Sequence, residues 1–234
     1  MLVLAIETST PQTTVSIGTE RGIIGSVLLS WSRGHSEIVT PAIAQMLEWT
    51  DLRLPQVGGV AVGLGPGLFT GLRVGVSTAR ALAQVLGVPV VGINSLDVLA
   101  YSVRHSRWRI GAVTDGKRGE VFYAFYRPVP GGVTREGDVG QGPPERLAAD
   151  LEASGEPHLL VGGGALLYRR VLHEVGTPVE FASLARAFPH AEALSELALP
   201  RFHREEYSRP EDVVPQYVRR SDAQINWART GRVA

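Results

Sequence analysis

The amino-acid sequence predicts an α/β fold of two lobes with a duplicated pattern, and three observations predict it. Continuous apolar runs at residues 2–6, 57–62 and 88–93 suit strands buried on both faces, as in a sheet covered by helices. From residue 110 the same grammar returns more loosely: strand, polar turn, strand, helix, strand, helix. With 234 residues the chain can give each of two small lobes a core. The lobes are placed at residues 1–104 and 105–234, joined through Arg104-His105-Ser106-Arg107-Trp108-Arg109, with room for the last segment to pack back on the first lobe.

The first run ends in Glu7-Thr8-Ser9-Thr10-Pro11, a hydroxyl-rich turn. Residues 14–18 and 23–31 follow as two strands, and Gly18-Thr19-Glu20-Arg21-Gly22 between them is hairpin chemistry. After Gly34-His35, Ser36 is the expected N-cap of a helix reaching Trp49, with Pro41 an early irregularity. The strand at 57–62 leads into a glycine-rich stretch, 63–71, and a helix then runs to Leu86, where Gly87 stops it. In the second half, residues 110–114 form a strand ending in the polar turn Asp115-Gly116-Lys117, and residues 119–126 an alternating strand. A Gly/Pro-rich excursion covers 128–144. A helix near 145–153, a strand at 159–161, the turn Gly162-Gly163-Gly164 and helices near 165–175 and 189–204 complete the reading.

Composition removes several classes of function. No cysteine means no disulfide frame, zinc–thiolate site, iron–sulfur cluster or cysteine nucleophile, which fits a reducing compartment. No apolar run reaches the roughly 18 residues of a membrane span, and the first residues lack the basic start of a signal peptide, so a soluble, cytoplasmic protein is expected. With 23 Lys plus Arg against 23 Asp plus Glu, bulk electrostatics gives no reason to coat nucleic acid or acidic lipid. Residues 1–103 hold 5 basic and 6 acidic side chains, less than half the density of an ordinary domain. Such a surface asks to be covered by something.

Seven glycines fall between positions 58 and 75. The stretch is no Walker A loop, because no G-K-[ST] follows, and it misses the dinucleotide fingerprint by one residue. Either it offers backbone N–H groups to an anion or carbonyl at a helix start, or its glycines permit close packing. In the helix that follows, Arg73, Ser77, Arg80 and Gln84 form a narrow polar stripe, and Gly71, Leu72, Gly75, Val76, Ala79, Leu82, Ala83 and Leu86 a broad apolar face. Val74, Thr78, Ala81 and Val85 make a further face of small residues, more than one sheet can use. The helix before it is similar, with Ile38, Val39, Ala42, Ile43, Met46, Leu47 and Trp49. The surplus fits a helix-to-helix protein interface, or else cover by the second lobe or a loop.

Catalytic chemistry finds little here. The six histidines, His35, His105, His158, His173, His190 and His203, contain no i+3 or i+4 pair, so no metal site is expected. His35 fits a capping or interface role. No serine sits in G-x-S-x-G, and Lys117 is the single lysine. An enzyme would depend on carboxylates such as Glu7 and Asp115, at strand ends where α/β sites gather but where turn residues are common too.

Taken together, Ala5-Ile6-Glu7-Thr8-Ser9, the block from Ala61 through Gly63-Leu64-Gly65-Pro66-Gly67 to Gly75, Val91-Gly92-Ile93-Asn94-Ser95-Leu96 and Asp115-Gly116-Lys117-Arg118-Gly119-Glu120 resemble the TsaB (YeaZ) family. Gly162-Gly163-Gly164-Ala165 and Pro215-Gln216-Tyr217-Val218-Arg219 look like its late landmarks. The resemblance implies the two-lobed fold of the actin, sugar-kinase and chaperone-ATPase superfamily. It also implies a part in placing threonylcarbamoyl, from threonylcarbamoyl-adenylate, on N6 of the adenosine that follows the anticodon of tRNA. In that pathway the paralogue TsaD transfers the group and TsaE is a small ATPase. TsaD-like chains bind metal through H-x-x-x-H; here Ser95 and Leu99 stand at those places, and neither can replace an imidazole.

The implied role is therefore a non-catalytic scaffold with no catalytic residue, no metal and no cofactor of its own, ATP and Mg²⁺ acting through partner subunits. The expected partners are TsaD directly, TsaE in the complex, tRNA through the complex, and a second copy when the chain is alone, without a membrane. Ile38, Ala42, Met46 and Trp49 with Val74, Thr78, Ala81 and Val85 are assigned to the seam. By the resemblance Glu7, Thr8 and Ser9, Asp115, and Gly162, Gly163 and Gly164 outline vestigial nucleotide-binding turns. The alternative is a weak Mg-dependent ATPase or phosphotransferase using Glu7 and Asp115. Direct tRNA contact would use Arg104, Arg107, Arg109, Lys117, Arg118, Arg219 and Arg220, but Arg is nearly the only cation of the chain, so solvated arginines are the preferred reading.

Overall fold

The structure, a computed structural model, describes residues 1–30 and 34–218. Its first sheet holds β1 (Val3–Glu7), β2 (Gln12–Thr19), β3 (Gly22–Ser30), β4 (Gly59–Gly63) and β5 (Val90–Ile93) in the order β3-β2-β1-β4-β5. The first three strands are antiparallel, and β4 and β5 add in parallel. The second sheet holds β6 (Arg109–Lys117), β7 (Glu120–Val129), β8 (Gly132–Gly142), β9 (His158–Val161) and β10 (Val179–Phe181) in the order β10-β9-β6-β7-β8. Again three strands meander and two follow in parallel. The duplication expected from the sequence is thus a duplication of topology.

Seven α-helices accompany the sheets among the described residues: α1 (His35–Trp49), α2 (Phe69–Leu86), α3 (Ser95–Tyr101), α4 (Pro144–Ser154), α5 (Gly163–Leu167), α6 (Arg169–His173) and α7 (Ala191–His203). The alternation of β1 explains why it is apolar throughout. Leu4 and Ile6 join the core under α1 and α2, while Val3 and Ala5 join the core under α7. Each large aliphatic so buried contributes about 1.5–3 kcal/mol.

Two helices cross between the halves. Ala191, Leu194, Ala198 and Phe202 of α7, from the second half of the chain, pack on Val3, Ala5, Ala61 and Val91 of the first sheet. In return, Leu96, Leu99 and Ala100 of α3 pack with Ile110, Ala112, Ala124 and Tyr126 of the second. Polar ties fix the first crossing, since the Ala191 N–H donates to Thr14 Oγ1 at 2.9 Å and Ser16 and Ser195 share a hydroxyl bond at 2.9 Å. The chain beyond α7 also returns to the first sheet: Ser208 and Val90 exchange backbone bonds, and Gln216 N–H donates to the Leu64 carbonyl.

Several elements differ from the sequence reading. The N-cap of α1 is Gly34 rather than Ser36, its carbonyl accepting the Glu37 N–H at 3.0 Å, so no hydroxyl is needed. Pro41 lies inside α1 without ending it. The Asp115-Gly116-Lys117 segment is strand, not turn, because Asp115 pairs with Val121 and Lys117 with Glu120. The reversal falls on Arg118 and Gly119, at φ 56° and 79°. The excursion at 128–144 is mostly β8, paired along β7. The helix expected near 165–175 is two short helices divided at Tyr168, and β10 and α3 were absent from the reading.

Candidate functional site

Glu7 ends β1 and is buried, as are Thr8, Ser9 and Thr10. Each oxygen of its carboxylate accepts a hydrogen bond. Oε1 accepts the Ser9 N–H at 2.7 Å, and Oε2 accepts the Ser95 hydroxyl at 2.9 Å. The glycine block lies directly on this turn. A Cβ at Gly63 would overlap the Glu7 carboxylate, one at Gly67 the Ser9 carbonyl, and one at Gly71 the Thr8 carbonyl. A Cβ at Gly75 would overlap the Thr8 hydroxyl, which donates to the Gly71 carbonyl at 2.8 Å. Of the two readings of the glycines, close packing is the one this geometry expresses; the Thr8 hydroxyl bonds protein, while the buried Thr10 hydroxyl has no hydrogen-bond partner among the described residues.

Further bonds lock the loop. Leu68 N–H donates to the Ser9 carbonyl, and Ser95 N–H to the Gly65 carbonyl, both at 2.7 Å. Asn94 reaches Gln216 from its side-chain amide, and Tyr217 accepts from Arg73 while its ring lies 5.0 Å from Phe69. The sequence reading used Ser95 as part of a family landmark and as a missing metal ligand, and Gln216 and Tyr217 only as landmarks. Their structural partners are distant in sequence, so no local pattern announced them. Burial pushes the Glu7 pKa up, against the hydrogen bonds from Ser9 and Ser95. His35 stands beside the same turn, 2.7 Å from Thr13 Oγ1 through Nδ1, and burial lowers its pKa.

The seam residues divide into two groups. Ala42 and Met46 are buried in the core of the first lobe, so they are not surface, contrary to their assignment to the seam. Met46 sits over Gly25 of β3, a bare spot on the sheet. Trp49 is 72% exposed and Val85 83% exposed. Ala81 is exposed as well, and Ile38, Val74 and Thr78 are partly exposed. The stripe Val74, Thr78, Ala81, Val85 therefore runs along α2 from half-covered to open.

In the second lobe, a Cβ at Gly162 would overlap the Val113 carbonyl and one at Gly164 would sit 3.0 Å from the Asp115 N–H. Gly162 and Gly164 are thus laid against the end of β6 that carries Asp115, while Gly163 packs towards Phe188. The Asp115 carboxylate accepts from the Lys117 N–H and ammonium at 2.8 and 2.7 Å. Among the described residues no three His, Cys, Asp or Glu side chains gather in metal-binding geometry, and no helix is long and apolar enough to cross a membrane. Of the basic residues weighed for tRNA, Arg104 pairs with Glu196, Arg109 with Glu136 and Lys117 with Asp115. Arg107 lies over Trp108, and Arg219 and Arg220 fall outside the described residues.

The geometry can be set beside known proteins. A family model described as "TsaD: tRNA N6-adenosine threonylcarbamoyltransferase" matches residues 22–227. The chain is 27% identical to the tRNA threonylcarbamoyladenosine biosynthesis protein TsaB of Bacillus subtilis, over 97% of this chain and 98% of that one. It is 33% identical to an uncharacterized protein of Mycobacterium tuberculosis, over 94% and 93% of the two chains. Among solved structures, YeaZ from Pseudomonas aeruginosa superposes with a TM-score of 0.79 at 28% identity, covering 93% of this chain and 99% of that one. That likeness covers both sheets, whose strand orders β3-β2-β1-β4-β5 and β10-β9-β6-β7-β8 repeat one topology.

Proposed function

We propose, because this chain belongs to the TsaB (YeaZ) family, that it is the non-catalytic partner of TsaD in tRNA threonylcarbamoyladenosine synthesis. The carrying observation is the open stripe on α2, ending in Val85, with Trp49 exposed at the end of α1. A helix surface this poor in charge is held in water at a cost that a partner helix would remove. Small residues at Ala81 and Thr78 let another helix axis approach to about 8 Å. The seam of this reading is Ile38, Trp49, Val74, Thr78, Ala81 and Val85, without the buried Ala42 and Met46. In the absence of TsaD the same face would take a second copy of this chain.

The absence of chemistry is supported by the first turn. In this reading, a phosphate would need the room that the glycine block occupies, and the Glu7 carboxylate is already committed to Ser9 and Ser95. ATP and Mg²⁺ would then act through TsaD and TsaE, tRNA would meet the chain through the complex, and the setting would be the cytoplasm. The seam is tested by Ala81→Glu, which places a carboxylate in the middle of the stripe. Co-purification with TsaD should be lost while the monomer keeps its melting temperature; retained binding would sink this choice of face.

A second reading is favoured by the way Gly162 and Gly164 lie against the Asp115 end of β6. It is a weak Mg-dependent ATPase or phosphotransferase in which Asp115 holds the metal. It requires turnover by this chain alone that disappears in Asp115→Asn.

A further inference from the structure

The outer strands of the two sheets are protected unequally. β5 is capped by the returning chain, with Ser208 and Val90 exchanging backbone bonds at 2.9 and 3.1 Å. β10 has only three residues. β8 carries Arg135, Glu136 and Asp138, and its pairing slips opposite Tyr123 and Phe125. Cover, shortness, charge and irregular pairing are the means by which sheet edges are kept from adding foreign strands.

β3 has little of this protection. It runs nine residues, Gly-Ile-Ile-Gly-Ser-Val-Leu-Leu-Ser, with no charge and no proline. Ile24 is 47% and Leu28 44% exposed. Its one irregularity lies near its start, where Ile24 is extra between the pairs Ile17–Gly25 and Gly18–Ile23. Among the described residues, β2 alone pairs with it along its backbone.

We propose that β3 pairs edge to edge with β3 of a second copy, antiparallel about a two-fold axis at Ser26, joining two first sheets into one. A second copy fits because the strand is complementary to itself. In an isologous contact residue i meets j and j meets i. Centring on Ser26 sets Ile24 opposite Leu28 and Gly25 opposite Val27, so apolar side chains meet across the seam. Moving the axis to Gly25 sets Ile24 against Ser26, and moving it to Val27 sets Leu28 against Ser26. No like charges are opposed, since Gly22–Ser30 holds none. The five residues Ile24 through Leu28 are far fewer than the roughly 20–30 a side of a standard interface, so the dimer is weak and concentration-dependent. The contact shares no residue with the α1–α2 seam and stands or falls separately from it.

The chain has no cysteine, so Ser26→Cys supplies one thiol per copy. Facing residues of an antiparallel pair have Cα atoms about 4.5–5.5 Å apart, within disulfide reach. The test uses the full chain in an Ala81→Glu background, which removes the helix seam as a competing route to dimers. Mild oxidation should cross-link Ser26→Cys at least about tenfold faster than Arg170→Cys, an exposed reference on α6. In sedimentation, Ser26→Lys should raise the dimer dissociation constant at least about tenfold by opposing two ammonium groups, with the melting temperature unchanged. Cross-linking no faster than the reference would overturn the proposal. So would a dimer that Ser26→Lys leaves intact, or a Ser26→Cys thiol that cross-links to TsaD and not to its own copy.

Discussion

Glu7 is where a single side chain carries most of the argument about chemistry. Read as a sequence, it is a strand-end carboxylate in a hydroxyl-rich turn. Its type and place in the strand were legible; its fate was not, because Ser95 stands 88 residues away and the glycines that lie on it come from another loop. Burial raises its pKa above the ordinary 4.5. A raised folded-state pKa means that the native state binds the proton more tightly, so the stabilising contribution is complete below pH 4.5 and fades as pH rises through the folded value. Glu7→Gln keeps an acceptor for the Ser9 N–H and carries no charge. The wild-type chain should therefore lose stability relative to Glu7→Gln between pH 4.5 and pH 8. Thermal unfolding of both at the two pH values measures it, and a gap that does not change with pH would refute the assignment.

At the scale of elements, α2 was the most legible part of the chain and α1 less so. The wheel placed Gly71, Leu72, Gly75, Val76, Ala79, Leu82, Ala83 and Leu86 inward; all are buried except Leu82 and Leu86, which are partly buried against the same core. It could not divide α1 correctly, because whether Met46 is covered depends on Gly25 of β3. The strand β8 was hidden by its glycines, which serve its hairpin and the close approach of the Tyr123 ring to Gly140. The short helix α3 lacks a long periodic face, and its apolar side is spent on the second sheet. Two substitutions two residues apart on α2 separate its faces. Ala79→Glu puts a carboxylate into the sealed core, where an unpaired charge costs several kcal/mol, a large part of a domain's stability. Ala81→Glu adds the same group in the open and should change stability by no more than about 0.5 kcal/mol. Circular-dichroism melts should show the first unfolded or poorly soluble and the second unchanged; equal damage from both would mean that the stripe is already covered within the chain.

For the whole molecule, the repeated grammar foretold two lobes but not their exchange of helices, since the bonds that hold α7 to the first sheet join residues 177 and 179 positions apart. The exchange matters for function. With α7 on one face of the first sheet and α1 and α2 on the other, the first lobe is complete without a partner. The α2 stripe and the β3 edge stay open on that lobe, so association would not have to finish the fold. On the proposed reading, the chain should be needed for transfer and inert without TsaD. The direct measurement is transfer of threonylcarbamoyl from pre-made threonylcarbamoyl-adenylate to tRNA, with TsaE and ATP in every reaction and this chain or TsaD omitted in turn. Product should require both, and the chain without TsaD should release no phosphate from ATP above background. If it does hydrolyse ATP, and Asp115→Asn abolishes this, then the Asp115 end of β6 beside Gly162 and Gly164 carries chemistry, and the closed turn at Glu7 has not silenced the molecule.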